Sequence, residues 1–103
     1  MTNLVGLEVK EFDNRCNEEI GLRIQNKRIE RNMTGVELGT YLSVNANQVS
    51  RIETGKVKCK LEHIFILCQV LECSADYLLF GTEERDYLSD KQMKCIMDIK
   101  KYF

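Results

Sequence analysis

The stretch "NANQVSRIETGK", Asn45–Lys56, decides the fold. Asn45 is an N-cap residue, Gln48 stands where it can return a hydrogen bond to the Asn45 backbone, and Gly55 closes the segment as a helix C-terminus closes. With Val49 and Ile52 turned inward, a period of 3.6 puts Asn47, Ser50, Arg51 and Thr54 on the opposite side. Glu and Lys are the usual filler of a solvated helix face. Here the face is a short row of uncharged-to-basic hydrogen-bonding side chains, and its surroundings have to account for it.

Upstream, "TGVE" at Thr34 to Glu37 is a capping box. It starts a second helix that runs to about Leu42, with Leu38, Tyr41 and Leu42 available for packing. Only Ser43 and Val44 separate it from the Asn45 helix, so the connection is a tight turn and the two axes cross steeply. Earlier still, Phe12, Cys16, Ile20 and Ile24 recur at i, i+4 and predict a first helix from about Asp13 or Asn17 to Arg31. Downstream, Leu61, Ile64, Leu67, Cys68 and Leu71 form the buried stripe of a fourth helix, from about Leu61 to Glu72. Ser74 caps a short fifth, "ADYLLF", ended by Gly81.

The reading is therefore all-α: five helices in a compact unit over residues 17–81, preceded by an arm over 1–16. In that arm Val5, Leu7 and Val9 alternate with polar or small residues, which suits a short strand or a frayed or helical arm. After the loop "GTEERDY", residues 82–103 carry a third capping box, "SDKQ", and the stripe Met93, Ile96, Ile99 and Phe103, an amphipathic helix. That stripe either folds back on the core or pairs with its counterpart in a second subunit.

At 103 residues the chain suits one domain with a modest core and an appended arm. No apolar run approaches the ~20 residues of a membrane span. The N-terminus has Glu8, Lys10 and Glu11 among its apolar residues and does not read as a secretion leader. Five cysteines, Cys16, Cys59, Cys68, Cys73 and Cys95, include no C-x-x-C pair. Together these features imply reduced thiols in a bacterial cytosol.

A net charge of −1 conceals an uneven distribution. Between Ile20 and Lys60 stand Arg23, Lys27, Arg28, Arg31, Arg51, Lys56, Lys58 and Lys60 against only Glu30, Glu37 and Glu53, whereas both flanks are acidic on balance. A basic centre between acidic ends suits a polyanion-binding face. Two helices joined by a tight turn, the second with a polar and basic outer face, are what the major groove of duplex DNA admits. Asn47 has the amide geometry to contact adenine and Arg51 the fork that suits guanine, while Ser50 and Gln48 add weaker contacts. Lys56, Lys58 and Lys60 follow the helix, where a loop would run along the sugar–phosphate backbone.

The run "IGLRIQNKRIERNMTGVELGTYLSVNANQVSRIETGK", continuing as "LEHIFILCQVLECSADYLLFG", resembles the Cro/CI-type (XRE-like) helix-turn-helix DNA-binding family of phage repressors and bacterial regulators. The resemblance covers Ile20 to Gly81 without a gap, about three fifths of the chain. It implies a lambda repressor-like fold with Ala46 to Thr54 as recognition helix, and base contacts from Asn45, Ala46, Asn47 and Arg51. It further implies that Arg28 pairs with Glu53, tying the first helix to the third. The chain departs from the family at Gly35, where a phosphate-touching glutamine is usual. Phosphate contacts then rely more on Thr34, Thr40, Gln48 and the lysines, with Thr54 beside them. Lys60 replaces a small capping residue at the start of the fourth helix, Cys59 stands where proline is common, and Gly39, in place of the usual alanine, allows close helix approach.

Other chemistries fit less well. His63 and Cys68 lie ~140° apart on one helix, so Cys59, His63, Cys68 and Cys73 do not converge on a metal. One histidine, no phosphate-binding Gly loop and no buried carboxylate pair argue against an enzyme, and no cofactor is implied. The reading is a sequence-specific regulator, a repressor by type, that binds a palindromic operator as a homodimer. Two alternatives share the same domain: an antitoxin-like protein whose main partner is a second protein, and a switch operated by Cys16, Cys59 or Cys95, since an exposed thiol near lysines has a lowered pKa.

Overall fold

Local capping sets the helix starts. In the computed structural model, which describes residues 8–82, the five helices are α1 (Asn14–Glu30), α2 (Gly35–Leu42), α3 (Ala46–Glu53), α4 (Leu61–Val70) and α5 (Ala75–Phe80). The alternating residues up to Leu7 and the amphipathic segment within 83–103 lie outside the described residues. Asp13 caps α1: its carboxylate accepts from the Cys16 N–H at 3.0 Å, and this bond holds the carboxyl below its ordinary pKa. Helix therefore begins at Asn14, at the earlier of the two starts that the periodicity offered.

Both internal capping boxes are complete. The Glu37 N–H donates to Thr34 Oγ1 and the Thr34 N–H to Glu37 Oε1, each at 3.1 Å. On α3, the Gln48 N–H donates to Asn45 Oδ1 at 2.8 Å and the Asn45 N–H to Gln48 Oε1 at 3.0 Å. Ser74 Oγ accepts from the Tyr77 N–H at 2.9 Å, whereas Lys60 gives α4 no side-chain cap.

The core is a continuous cluster of Ile20, Ile24, Leu38, Leu42, Val49, Ile52, Ile64, Leu67, Leu71 and Leu78. Helix α3 packs on both α2 and α1, and α5 closes the other side of α1. Ser43, at φ 59°, turns the chain between α2 and α3, and the Val44 N–H donates back to the Gly39 carbonyl at 2.9 Å. A Cβ at Gly39 would stand 2.5 Å from the Val44 carbonyl oxygen, so this crossing is built on the missing side chain.

Three residues assigned to packing faces face solvent instead. Leu61 is 81% exposed: as the first residue of α4, its side chain leans back past the helix start rather than onto the core. Tyr41 is 57% exposed, because α2 buries Leu38 and Leu42 and Tyr41 lies ~100° round the helix from Leu42. Phe12, at 56%, precedes the start of α1. Cys68 is only half-buried.

Candidate nucleic-acid interface

Helix α3 buries Val49, Ile52 and Glu53 and turns everything else outward. Asn45, Ala46, Asn47, Gln48, Ser50, Arg51 and Thr54 are all exposed. They differ in how free they are. The amide groups of Asn45 and Gln48 are partly engaged in the capping box, leaving their NH₂ donors available. The side chains of Asn47, Ser50 and Arg51 have no hydrogen bond or ion pair among the described residues.

The threonines are more committed. Thr40 Oγ1 donates to the Val36 carbonyl at 3.0 Å and Thr54 Oγ1 to the Ser50 carbonyl at 2.8 Å, so each keeps acceptor capacity but has its hydroxyl hydrogen directed into its own helix. The Thr34 oxygen accepts within its capping box, which leaves its hydroxyl hydrogen to donate outward.

Charge sorts along the same line. On α1 and at its C-cap Arg31, Arg23 pairs with Glu19, Lys27 with Glu30, Arg28 with Glu53 and Arg31 with Glu72. By contrast Arg51, Lys56, Lys58 and Lys60 are exposed and without an acidic partner among the described residues. The basic centre of the sequence thus divides into α1 cations that neutralise the protein's own carboxylates and α3–α4 cations that face outward. Gln48, Arg51, Lys58, Lys60 and His63 border a cleft of about 230 Å³ between α3 and the start of α4. His63 Nδ1 is buried with no hydrogen-bond partner among the described residues, and α4 begins at this end without a side-chain cap for its first-turn amides.

Besides the burial of Val49 and Ile52, a bidentate ion pair ties α3 to α1. Arg28 Nε donates to Glu53 Oε2 at 2.7 Å and Nη2 to Oε1 at 3.1 Å, while Nη1 donates to the Met33 carbonyl at 2.8 Å. Glu53 is 6% exposed, and the bond to its carboxylate raises the Arg28 pKa. One guanidinium therefore fixes the C-terminal end of α3 and the α1–α2 connection together.

Sequence reasoning missed the residues that make this approach close. A Cβ at Gly21 would lie 2.4 Å from both the Ile52 and Glu53 carbonyl oxygens, so α3 ends directly on the α1 backbone. Gly55, at φ 77°, sits as closely on the Glu18 backbone. A glycine among the apolar positions of α1 was the available signal at Gly21; nothing local marked its partner.

The expectation of a low-pKa thiol at Cys59 is reversed. Burial pushes the Cys59 thiol up to about 11, and burial also raises that of Cys68. Both pack against the core, where burial disfavours the thiolate, and at Cys59 the neighbouring Cys68 adds to the rise. Cys95 lies outside the described residues. Among the described residues no helix is long and apolar enough to cross a membrane.

Two packed helices joined by a short turn, the second with an outward polar face and cations at its edge unpaired among the described residues, define a helix-turn-helix DNA-binding transcription regulator rather than an enzyme. The chain belongs to the helix-turn-helix family HTH_3, whose model matches residues 24–78, α3 included. It is similar to the P22 c2 repressor protein, solved in complex with synthetic operator 9T in the presence of Tl+, at 31% identity over 60% of this chain and 94% of that one, with a TM-score of 0.57. The clp gene regulator ClgR from C. glutamicum has the same fold, at 23% identity, 62% and 83% coverage and a TM-score of 0.57. So does the SinR protein/SinI protein complex, at 23% identity, 81% and 95% coverage and a TM-score of 0.56. No curated protein matches the sequence.

Proposed function

We propose that this protein is a cytosolic, sequence-specific transcriptional repressor that binds a palindromic operator as a homodimer, with α3 in the major groove. The observation that carries the reading is the contrast on α3 between a buried Glu53 locked to α1 and an outer row whose Asn47, Ser50 and Arg51 side chains have no partner among the described residues. Exposed, unpaired hydrogen-bonding groups on a rigidly held helix are what direct readout of base edges requires. Likeness to a repressor solved with its operator supports the same role.

Arg51 faces guanine and Asn47 adenine, with Asn45, Ala46, Gln48 and Ser50 beside them. Phosphates are held by Lys56, Lys58 and Lys60 and by the first-turn amides of α4, while Thr34 donates from the other side of the groove. Thr40 and Thr54 contribute only if their hydroxyls leave their own helices. Two recognition helices on a palindrome stand about one duplex turn apart, ~34 Å.

Selection of duplexes from a random pool by the full chain at near-physiological salt, followed by sizing of the bound complex, tests this. The expected result is one enriched inverted repeat bound by two chains. Retention of DNA with no enriched sequence would reject specific readout.

A further inference from the structure

Asn45 and Gln48 are exposed at the start of α3, yet each is also half of the capping box that begins the helix. Asn45 Oδ1 accepts from the Gln48 N–H at 2.8 Å, and Gln48 Oε1 accepts from the Asn45 N–H at 3.0 Å. In both bonds the other partner is a backbone N–H, which the oxygen of an amide can meet and its NH₂ cannot. The orientation of both amides is therefore fixed, with the oxygen engaged by the backbone and the NH₂ left for an outside partner.

This removes half of what an amide side chain ordinarily offers a base. Reading adenine takes both ends of the amide at once, the oxygen on N6–H and the NH₂ on N7. An oxygen held to the backbone turns to N6 only if the cap opens. Asn45 and Gln48 thus act as donors, and Arg51, three residues on from Gln48, is a donor by chemistry. At this three-residue spacing the side chains form one ridge of N–H groups along α3, and Gln48 and Arg51 border the same cleft. Asn47 and Ser50, whose side chains have no hydrogen bond among the described residues, keep both functions.

We propose that the capping box sets the base preference at the start of α3: Asn45 and Gln48 read acceptor atoms only, and Gln48 selects guanine, whose O6 and N7 put two acceptors on one edge. Adenine sets a donor beside its single acceptor, and cytosine offers a donor alone. With α3 in the proposed major-groove position, on which this inference rests, adenine is left to Asn47.

Gln48→Glu separates the two functions of the side chain. Glutamate keeps the capping box, because a carboxylate oxygen accepts from the Asn45 N–H as the amide oxygen does, but it exchanges the outward NH₂ for a second acceptor. Its added negative charge weakens binding to every duplex alike, so the measurement is the ratio of affinities among base pairs at each position of the selected operator. The parent should prefer a G·C pair by about tenfold at the position that responds. In Gln48→Glu that pair should invert, since cytosine N4–H₂ donates to a carboxylate, while the other positions keep their bases. Asn45→Asp, which retains the N-cap, makes the same exchange at the preceding turn and should likewise cost its position the preference for an acceptor. If the pair moved by Gln48→Glu is A·T in the parent, this inference is overturned while operator binding through α3 stands. Retention of the parent's bases at every position, as a phosphate contact from Gln48 would give, also overturns it. A random pool with no enriched sequence would overturn it together with the proposed function.

Discussion

Glu53 shows how one side chain supports a face it does not belong to. It is buried, it takes both bonds of the Arg28 fork, and it lies one turn from the exposed Ser50. Glu53→Ala would leave the Arg28 guanidinium half-buried and unpaired. Because Arg28 keeps some exposure, the cost falls at the low end of the range for broken buried pairs, about 3 kcal/mol, measured by urea unfolding. A loss below about 0.5 kcal/mol would mean that the pair does not hold α3. Cys59 is the complementary case, a thiol kept neutral by burial. Since its pKa is raised from 9.0 to about 11, ionisation favours the unfolded chain, and stability should fall as pH rises across that window. At pH 8 the folded protein should alkylate at Cys59 far more slowly than the denatured chain, as site-resolved mass spectrometry would show; equal rates would contradict the burial.

Among the elements, glycine separates legible from illegible structure. Gly21→Ala places a methyl 2.4 Å from two α3 carbonyl oxygens and should destabilise the fold by ~1–3 kcal/mol or more. Gly35→Ala puts one in ordinary van der Waals contact, 4.0 Å from the Ala46 Cβ, at a helical position, and should be neutral or stabilising by up to ~1 kcal/mol. Thermal melts of the two variants distinguish them, and equal shifts would contradict the packing described. The capping boxes at Thr34 and Asn45 could be read from the sequence because their partners are three residues apart. Gly21 against Glu53, Arg23 on the Leu78 carbonyl and Arg31 with Glu72 could not, because those partners are set only by the tertiary path. Leu61 and Tyr41 were misplaced for a related reason: periodicity marks an apolar face without marking where the neighbouring helix ends.

Across the whole molecule, charge is arranged by use rather than by amount. The sequence showed a basic centre, and the fold divides it: Arg23, Lys27, Arg28 and Arg31 are paired internally, while Arg51, Lys56, Lys58 and Lys60 remain outward, with Arg51, Lys58 and Lys60 bordering one cleft. Lys56→Ala should therefore weaken binding to every duplex and lower the salt slope by about one. An unchanged slope would place Lys56 away from the phosphates. Arg51 is expected to act differently, and it bears on the central claim, that the outer face of α3 reads bases. The decisive measurement is the affinity of Arg51→Ala for the selected operator and for its single-base variants, at fixed salt. Direct readout predicts a loss of about 1–3 kcal/mol on the operator, with discrimination lost at one base pair in each half-site and retained elsewhere. If Arg51→Ala binds the operator and all its variants as the parent protein does, α3 is not the reading helix.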